Sequence, residues 1–205
     1  MIMGAWHIGR KRLPYDAEVE YLEWNGNDGQ QCFVTGVVVD DNSYVIECDG
    51  RITIAGPVWN HLFHTYKNES TESTRVIVFE TDLPKIYTGY RRQSGSQTLI
   101  APAGFTFANR NVFRLEYRKL TVTPFDGSPM VFTLPPPSAP GDAGFLRADN
   151  YGEKWYYGLK VWHGGEPVLD WVPVRKGAVG YFFDRVTGEL VEVYQNGLTV
   201  GPDNS

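Results

Sequence analysis

The sequence predicts an all-β protein, folded as a two-sheet antiparallel β-sandwich of the jelly-roll type. Three features predict it: short runs rich in β-branched residues, alternation of apolar and polar residues within those runs, and Asp-Gly, Gly-Gly and Thr-Gly turns between them. The chain of 205 residues also contains 22 glycines and 13 prolines, which suits strands joined by tight turns. So many short antiparallel strands in one domain pack most simply as two facing sheets.

About a dozen strands of 4 to 9 residues are predicted along the chain. They cover residues 34–40, 43–48, 51–55, 75–80, 85–90, 98–101, 112–117, 119–124, 130–134, 154–162, 167–174, 180–184 and 189–193. The first three are expected to form a meander, in which Asp49 and Gly50 make one of the turns. The polar stretch 68–74 is expected to be a loop tip, and the proline-rich stretch 134–144 an ordered crossing or a surface arm.

A single domain over residues 1–205 is expected, because no change of composition divides the chain, with residues 1–12 as a flexible N-terminal segment. The net charge of −5 and the lack of a basic cluster larger than Arg10-Lys11-Arg12 argue against binding to nucleic acid or to an anionic membrane. No apolar run is long enough for a secretory signal or a membrane span. We therefore expect a soluble protein that is cytoplasmic as made, which is compatible with assembly into a virion.

Cysteine and histidine give little indication of chemistry. Cys32 and Cys48 lie near valines and isoleucines, so buried thiols are expected rather than metal ligands or nucleophiles. His61 and His64 in the stretch HLFH have a spacing that binds metal on a helix, but no carboxylate or cysteine is near them in sequence. We expect these two histidines to be satisfied or exposed.

No cofactor is expected, although calcium is the one ion that the loops could hold. The acidic turn Asp40-Asp41-Asn42, or Asp142, could offer the oxygen ligands that calcium prefers, but no EF-hand-like spacing is present. Neither a glycine-rich phosphate loop nor a local Ser/His/Asp or Cys/His set occurs.

Two stretches resemble a known family. LPYDAEVEYLE near the start, with FVTG at 33–36, and the closing block GLKVWHGGEPVLDWVPVRKGAVGYFFDRVTGEL at 158–190 are similar to concanavalin A-like, LamG-like jelly-roll domains of gut bacterial and phage proteins. The closing block is the specific part, while residues 57–150 match only loosely and EWNGNDGQQCFVTG replaces a shorter turn. The resemblance implies a lectin-like fold, which serves carbohydrate recognition, adhesion, protein contact and in some members polysaccharide cleavage. It supplies no catalytic or ligand-binding motif.

Three glutamates near the start raise the question of catalysis. Glu18, Glu20 and Glu23 in EVEYLEWNG resemble the Glu-x-Asp-x-x-Glu strand of laminarinase-type glycoside hydrolases, in which a bulge brings all three carboxylates to one face. Without a bulge, Glu18 and Glu20 lie on one side of the strand and Glu23 on the other. Because the stretch would be the first strand, at a sheet edge, we expect it to face water and predict no catalytic residue.

Aromatic residues in the middle of the chain predict a binding site. Trp59, Tyr87 and Tyr90 lie close in sequence to Asn60 and Arg91. Rings stack on the apolar faces of sugars, while amide and guanidinium groups donate to hydroxyls. The alternative is that these rings fill the core, and packing is also the role expected of the three tryptophans of the final third, Trp155, Trp162 and Trp171.

The sequence therefore favours a non-catalytic lectin-like module that binds a glycan or a protein partner, as a phage virion or tail component or at a bacterial surface. One alternative is a purely structural protein that forms homo-oligomers through its sheet edges or its proline-rich arm. The other is a polysaccharide-cleaving glycosidase that uses Glu18, Glu20 and Glu23.

Overall fold

A computed structural model of the chain describes residues 20–21, 25–27, 33–52, 56–66, 74–80, 84–89, 97–134, 144–148, 154–191 and 199–202. In this part of the chain every regular element is a β-strand, and the strands form two antiparallel sheets. The predicted fold class, a two-sheet antiparallel β-sandwich of the jelly-roll type, is confirmed. None of the described residues belongs to a helix long and apolar enough to cross a membrane.

The described strands are numbered along the chain. They are β1 (Glu20–Tyr21), β2 (Asn25–Asn27), β3 (Phe33–Val39), β4 (Tyr44–Ile52), β5 (Gly56–Tyr66), β6 (Arg75–Glu80), β7 (Lys85–Gly89), β8 (Gln97–Ile100), β9 (Asn111–Glu116), β10 (Lys119–Pro124), β11 (Met130–Thr133), β12 (Gly144–Ala148), β13 (Lys154–His163), β14 (Glu166–Lys176), β15 (Val179–Asp184), β16 (Glu189–Val191) and β17 (Thr199–Val200). The larger sheet has the order β11-β10-β9-β4-β13-β14-β15-β16, with β1 paired to β14 and β2 paired to both β13 and β17. The smaller sheet has the order β3-β12-β5-β6-β7-β8.

The core lies between the two sheets and follows from alternation along the strands. In β4, for example, every second side chain from Tyr44 to Ile52 is buried. At the centre, Phe33 of the smaller sheet meets the rings of Tyr156, Trp171 and Phe182 edge-on, with centroid distances of 6.2, 6.3 and 5.3 Å. Edge-to-face contact is a preferred geometry for aromatic pairs, so one ring joins the two sheets here.

The predicted meander at the start is wrong. β4 runs without interruption through Asp49 and Gly50, and β3 pairs with β12 in the other sheet. Gly50 has a different role, because a Cβ at this position would lie 3.1 Å from the carbonyl oxygen of Trp155 on the neighbouring strand. The glycine thus permits close approach of β13 rather than a turn.

Two strands of the smaller sheet, β5 and β12, are absent from the prediction. β5 does not alternate, since the six consecutive residues 60–65 are all buried. The short β12 follows the proline-rich stretch and inserts between β3 and β5. The hairpins of the closing block are predicted correctly, with Gly164 and Gly165 at positive φ between β13 and β14, and Gly188 at positive φ between β15 and β16.

The central ring provides a test of the core. Phe33→Ala should lower the free energy of unfolding by about 3–5 kcal/mol, because the cavity between the sheets cannot collapse fully. Phe125→Ala is the matched control: this ring is 67% exposed, and its loss should cost less than about 1 kcal/mol. Urea unfolding of both variants measures the difference, and equal effects of the two substitutions would contradict the assignment of Phe33 to the core centre.

Candidate functional site

The smaller sheet has an outer face that carries polar side chains. In β6, Val76 and Val78 pack in the core, so the residues that alternate with them, Arg75 and Ile77, point to the other side. Ile77 is paired with Tyr87 of β7, and Tyr87 with Thr98 of β8. Cross-strand partners share a face, so these side chains belong to one face, on which Ile77 is buried, Tyr87 is half-buried and Thr98 is exposed. We call it the outer face of the smaller sheet.

A β-bulge in β5 brings two histidines to this face. The register between β5 and β6 shifts between His61, which is paired with Ile77, and Phe63, which is paired with Val76. Leu62 and Phe63 both pack in the core. The extra residue changes the parity of the strand, so that His61 and His64 lie on the same side although they are three residues apart.

The two histidines contact each other directly. Their Nδ1 atoms are 3.0 Å apart and the rings are nearly perpendicular, with 79° between their planes. Both side chains are buried, with 7% of His61 and 6% of His64 exposed. Two ring nitrogens hydrogen-bond only when one carries a proton and the other a lone pair, so the Nδ1 atoms share one proton. The two histidines are thus buried and joined through Nδ1, a contact that their spacing in the sequence alone does not predict.

Two arginines lie on either side of His64. Arg147 of β12 and Arg75 of β6 are its cross-strand partners, and both are half-buried. Among the described residues there is no group of three or more His, Cys, Asp or Glu that could hold a metal ion. An arginine on each neighbouring strand adds positive charge to this face, which disfavours a cation and favours an anion.

The bulge of β5 is also tied to the larger sheet. Lys154 Nζ donates a hydrogen bond to the carbonyl oxygen of His61 at 2.5 Å, and Tyr156 Oη donates to the carbonyl oxygen of Leu62 at 3.1 Å. Both donors belong to β13, and both side chains cross the sandwich interior.

The five predicted binding residues are only partly assembled on this face. Tyr87 lies on it and is half-buried. Asn60 is fully buried and is paired with Val78, so it faces the core. Trp59 belongs to β5, but its side chain lies outside the described residues, as do Tyr90 and Arg91. Sequence reasoning missed His61, His64, Arg75 and Arg147, because the pairing of β12 with β5 is not visible along the chain.

Of the three glutamates in the opening stretch, the structure describes Glu20. Glu20 of β1 is paired with Arg175 of β14, in the larger sheet. The following strand β2 pairs with both β13 and β17, so the end of the stretch lies within the larger sheet. Glu18 and Glu23 lie outside the described residues.

The outer face of the larger sheet carries arginines of a different kind. Arg51 stacks over Trp155 with 3.8 Å from Cζ to the ring centroid, and Arg114 lies over Trp162 at 5.0 Å. The two tryptophans therefore pack on the surface, whereas Trp171 packs in the core as predicted.

Arg114 also forms ion pairs with Glu47 and Glu116, and its hydrogen bond lowers the pKa of the Glu116 carboxyl.

This second face is neutralised by its own carboxylates. Arg110 makes a bidentate pair with Asp49, with distances of 2.9 and 2.6 Å, and its guanidinium also stacks over Tyr157. The guanidinium group of Arg110 is thus bound by the Asp49 carboxylate and stacked on the Tyr157 ring. Such contacts suit this surface to holding strands together rather than to capturing an anion.

The acidic turn proposed for calcium is engaged in protein contacts. Asp41 Oδ1 accepts hydrogen bonds from the backbone N and Oγ of Ser43 at 2.7 and 2.6 Å, and Oδ2 lies 2.9 Å from Nε2 of His163. The hydrogen bonds from Ser43 and His163 hold the pKa of Asp41 well below its usual range. Tyr44 stacks on the His163 ring at 4.2 Å. Calcium at this turn stays a prediction, and Asp142 lies outside the described residues.

Cys48 is a buried, free thiol, as predicted. Burial raises the pKa of the Cys48 thiol far above its ordinary value, so the thiolate needed for nucleophilic attack is not formed near neutral pH. Cys32 lies outside the described residues.

Comparison with known proteins gives distant likenesses only. No family model and no curated protein matches the chain. Among solved structures, an alginate lyase from Alteromonas sp.272 is 10% identical, with 65% of this chain and 72% of that chain covered and a TM-score of 0.40. A variant of the family 7 alginate lyase A1-II′ in complex with substrate is 12% identical, with 73% and 66% covered and a TM-score of 0.40. Likenesses this distant carry no information about activity.

The hydrogen bonds of Asp41 predict a pH-dependent contribution to stability. Since its pKa is lower in the folded than in the unfolded chain, the contribution is fully present above the unfolded value, about 3.9, and is lost as pH falls through the folded value. Asp41→Asn should therefore be less stable than the parent at pH 6, and the difference should shrink progressively below about pH 4.

Urea unfolding at a series of pH values measures this difference. Asp126→Asn, in the turn between β10 and β11, is the control and should follow the parent at every pH. A constant gap between Asp41→Asn and the parent from pH 6 to pH 2 would contradict the assignment.

Proposed function

We propose that the chain is a non-catalytic, lectin-like module that binds an acidic glycan on the outer face of the smaller sheet. The observation that supports the proposal most is the row Arg147, His64 and Arg75 across β12, β5 and β6, with the His61–His64 pair in its middle. The likeness of the closing block to lectin-like domains also supports a carbohydrate ligand.

The row is suited to acidic groups on a polymer. A guanidinium group is planar and binds a carboxylate through two parallel hydrogen bonds. Neighbouring strands are about 4.8 Å apart, so the two arginine positions on β12 and β6 are separated by about 10 Å. That separation fits acidic groups on different units of one glycan chain.

An exposed ring adjoins the row. Phe145 lies two residues before Arg147 on β12, and the intervening Leu146 packs in the core, so Phe145 and Arg147 share the outer face. Two residues along a strand span about 7 Å. Phe145 is 52% exposed, which leaves ring surface for the apolar face of a sugar. Tyr87, one row further along the sheet, adds a phenol that can donate or accept.

Binding to uronic acid oligomers tests the charged row. Arg75→Met and Arg147→Met should each lower the affinity about tenfold or more in calorimetric titration, because each removes a hydrogen-bonded charge worth about 1.5–3 kcal/mol. Arg114→Met, on the larger sheet, is the matched control and should bind like the parent. Neutral oligomers of equal length should bind more weakly than the acidic ones.

Two results would contradict this assignment. One is an equal loss of affinity in Arg114→Met, and the other is equal binding of neutral and acidic oligomers. Chromatography of the oligomers after long incubation tests the non-catalytic part, for which we expect unchanged chain lengths. Shorter products would show that the face cleaves its ligand.

Phe145→Ala tests the stacking platform. We expect the affinity for uronic acid oligomers to fall about threefold to tenfold, in line with about 0.5–1.5 kcal/mol for an aromatic contact. Phe125→Ala, which removes another exposed ring outside the smaller sheet, should leave the affinity unchanged. Unaltered binding by Phe145→Ala would exclude the ring from the site.

A further inference from the structure

A fully buried lysine lies between the two sheets. Lys154 has no exposed surface, and lysine is among the residues most rarely found so deeply buried. Its Nζ donates to the carbonyl oxygen of His61, and two residues further along β13 the hydroxyl of Tyr156 donates to the carbonyl oxygen of Leu62. Two consecutive carbonyl groups of β5 therefore each accept a side-chain hydrogen bond from the opposite sheet.

These acceptors belong to the bulge. A bulge disrupts the ladder locally, and a buried carbonyl group that loses its partner costs about 1–3 kcal/mol. The register shift of β5 lies between His61 and Phe63, at the residues whose carbonyl groups Lys154 and Tyr156 bind. The two donors thus stabilise the irregular backbone from inside the sandwich.

The same bulge determines where the imidazoles lie. In a regular strand, residues three apart point to opposite faces, so His61 and His64 could not meet. With the bulge, their Nδ1 atoms are 3.0 Å apart on the outer face. A hydrogen bond on the inner side of β5 is therefore coupled to the geometry of the pair on its outer side.

We propose that Lys154 is a positioning residue for the His61–His64 pair, and that Tyr156 assists it. The Nζ–H group of Lys154 holds the carbonyl of His61 toward the interior, which keeps the bulge in place and both imidazoles on the outer face. The proposal rests on the proposed function only where glycan affinity is concerned, because the pair is a feature of the protein without ligand.

If Lys154 contributed only to stability, its replacement would leave the imidazole geometry of a folded variant unchanged. Lys154→Met keeps most of the side-chain volume, so the expected cost is that of one lost hydrogen bond to a buried carbonyl, about 1–3 kcal/mol, which a stable fold tolerates. It cannot donate to His61, however, and the bulge should then relax toward regular pairing. Folding and imidazole geometry are therefore separable in this variant.

Imidazole nitrogen NMR on the full chain, labelled with ¹⁵N, tests the proposal. In the parent we expect one ring protonated at Nδ1 and the other with an Nδ1 lone pair, with His61→Gln and His64→Gln giving the assignments. Lys154→Met should lose this complementary pattern while its backbone amide spectrum stays dispersed. Lys160→Met, on the same strand but half-exposed, is the control and should keep the pattern. An unchanged pattern in folded Lys154→Met would overturn the proposal.

Tyr156→Phe provides the test if Lys154→Met does not fold. It removes one hydroxyl group and no ring volume, so the core stays filled. A disturbed imidazole pattern in this variant supports the coupling, and an unchanged one overturns it.

Glycan affinity then separates this inference from the proposed function. Loss of the imidazole pattern in Lys154→Met together with about a tenfold loss of uronic acid affinity supports both. Loss of the pattern with unchanged affinity supports the positioning role and overturns the pair as part of the glycan site.

Discussion

The β-bulge at residues 61–63 is the constraint on which the candidate site depends. A strand alternates its side chains with a period of two, so His61 and His64 would otherwise lie on opposite sides of β5. With one extra residue, both imidazoles reach the outer face, while Leu62 and Phe63 both remain in the core. Core packing and site geometry are thus two consequences of the same irregularity.

The two outer faces of the sandwich surround their arginines with different residues. On the larger sheet, guanidinium groups lie over aromatic rings and bind carboxylates on neighbouring strands. On the smaller sheet, Arg75 and Arg147 have an imidazole of the buried pair as their common cross-strand neighbour. The acidic glycan that we propose as the ligand would bind along this row of arginine positions.

Local patterns predicted most of the fold, because hairpins such as β13–β14 and β15–β16 are specified by alternation and by glycines within a few residues. β5 could not be predicted in this way, since six consecutive buried residues show neither period. The site was largely missed for a related reason. The structure has a bulge in HLFH, and the donors that stabilise it, Lys154 and Tyr156, are more than ninety residues away in sequence.

A crystal structure of the protein without ligand tests the central claim most directly, through the distance between the Nδ1 atoms of His61 and His64. The account predicts about 3 Å, with both rings on the outer face of the smaller sheet and Lys154 Nζ bound to the carbonyl oxygen of His61. A regular β5, with the two imidazoles on opposite sides of the strand, would contradict it.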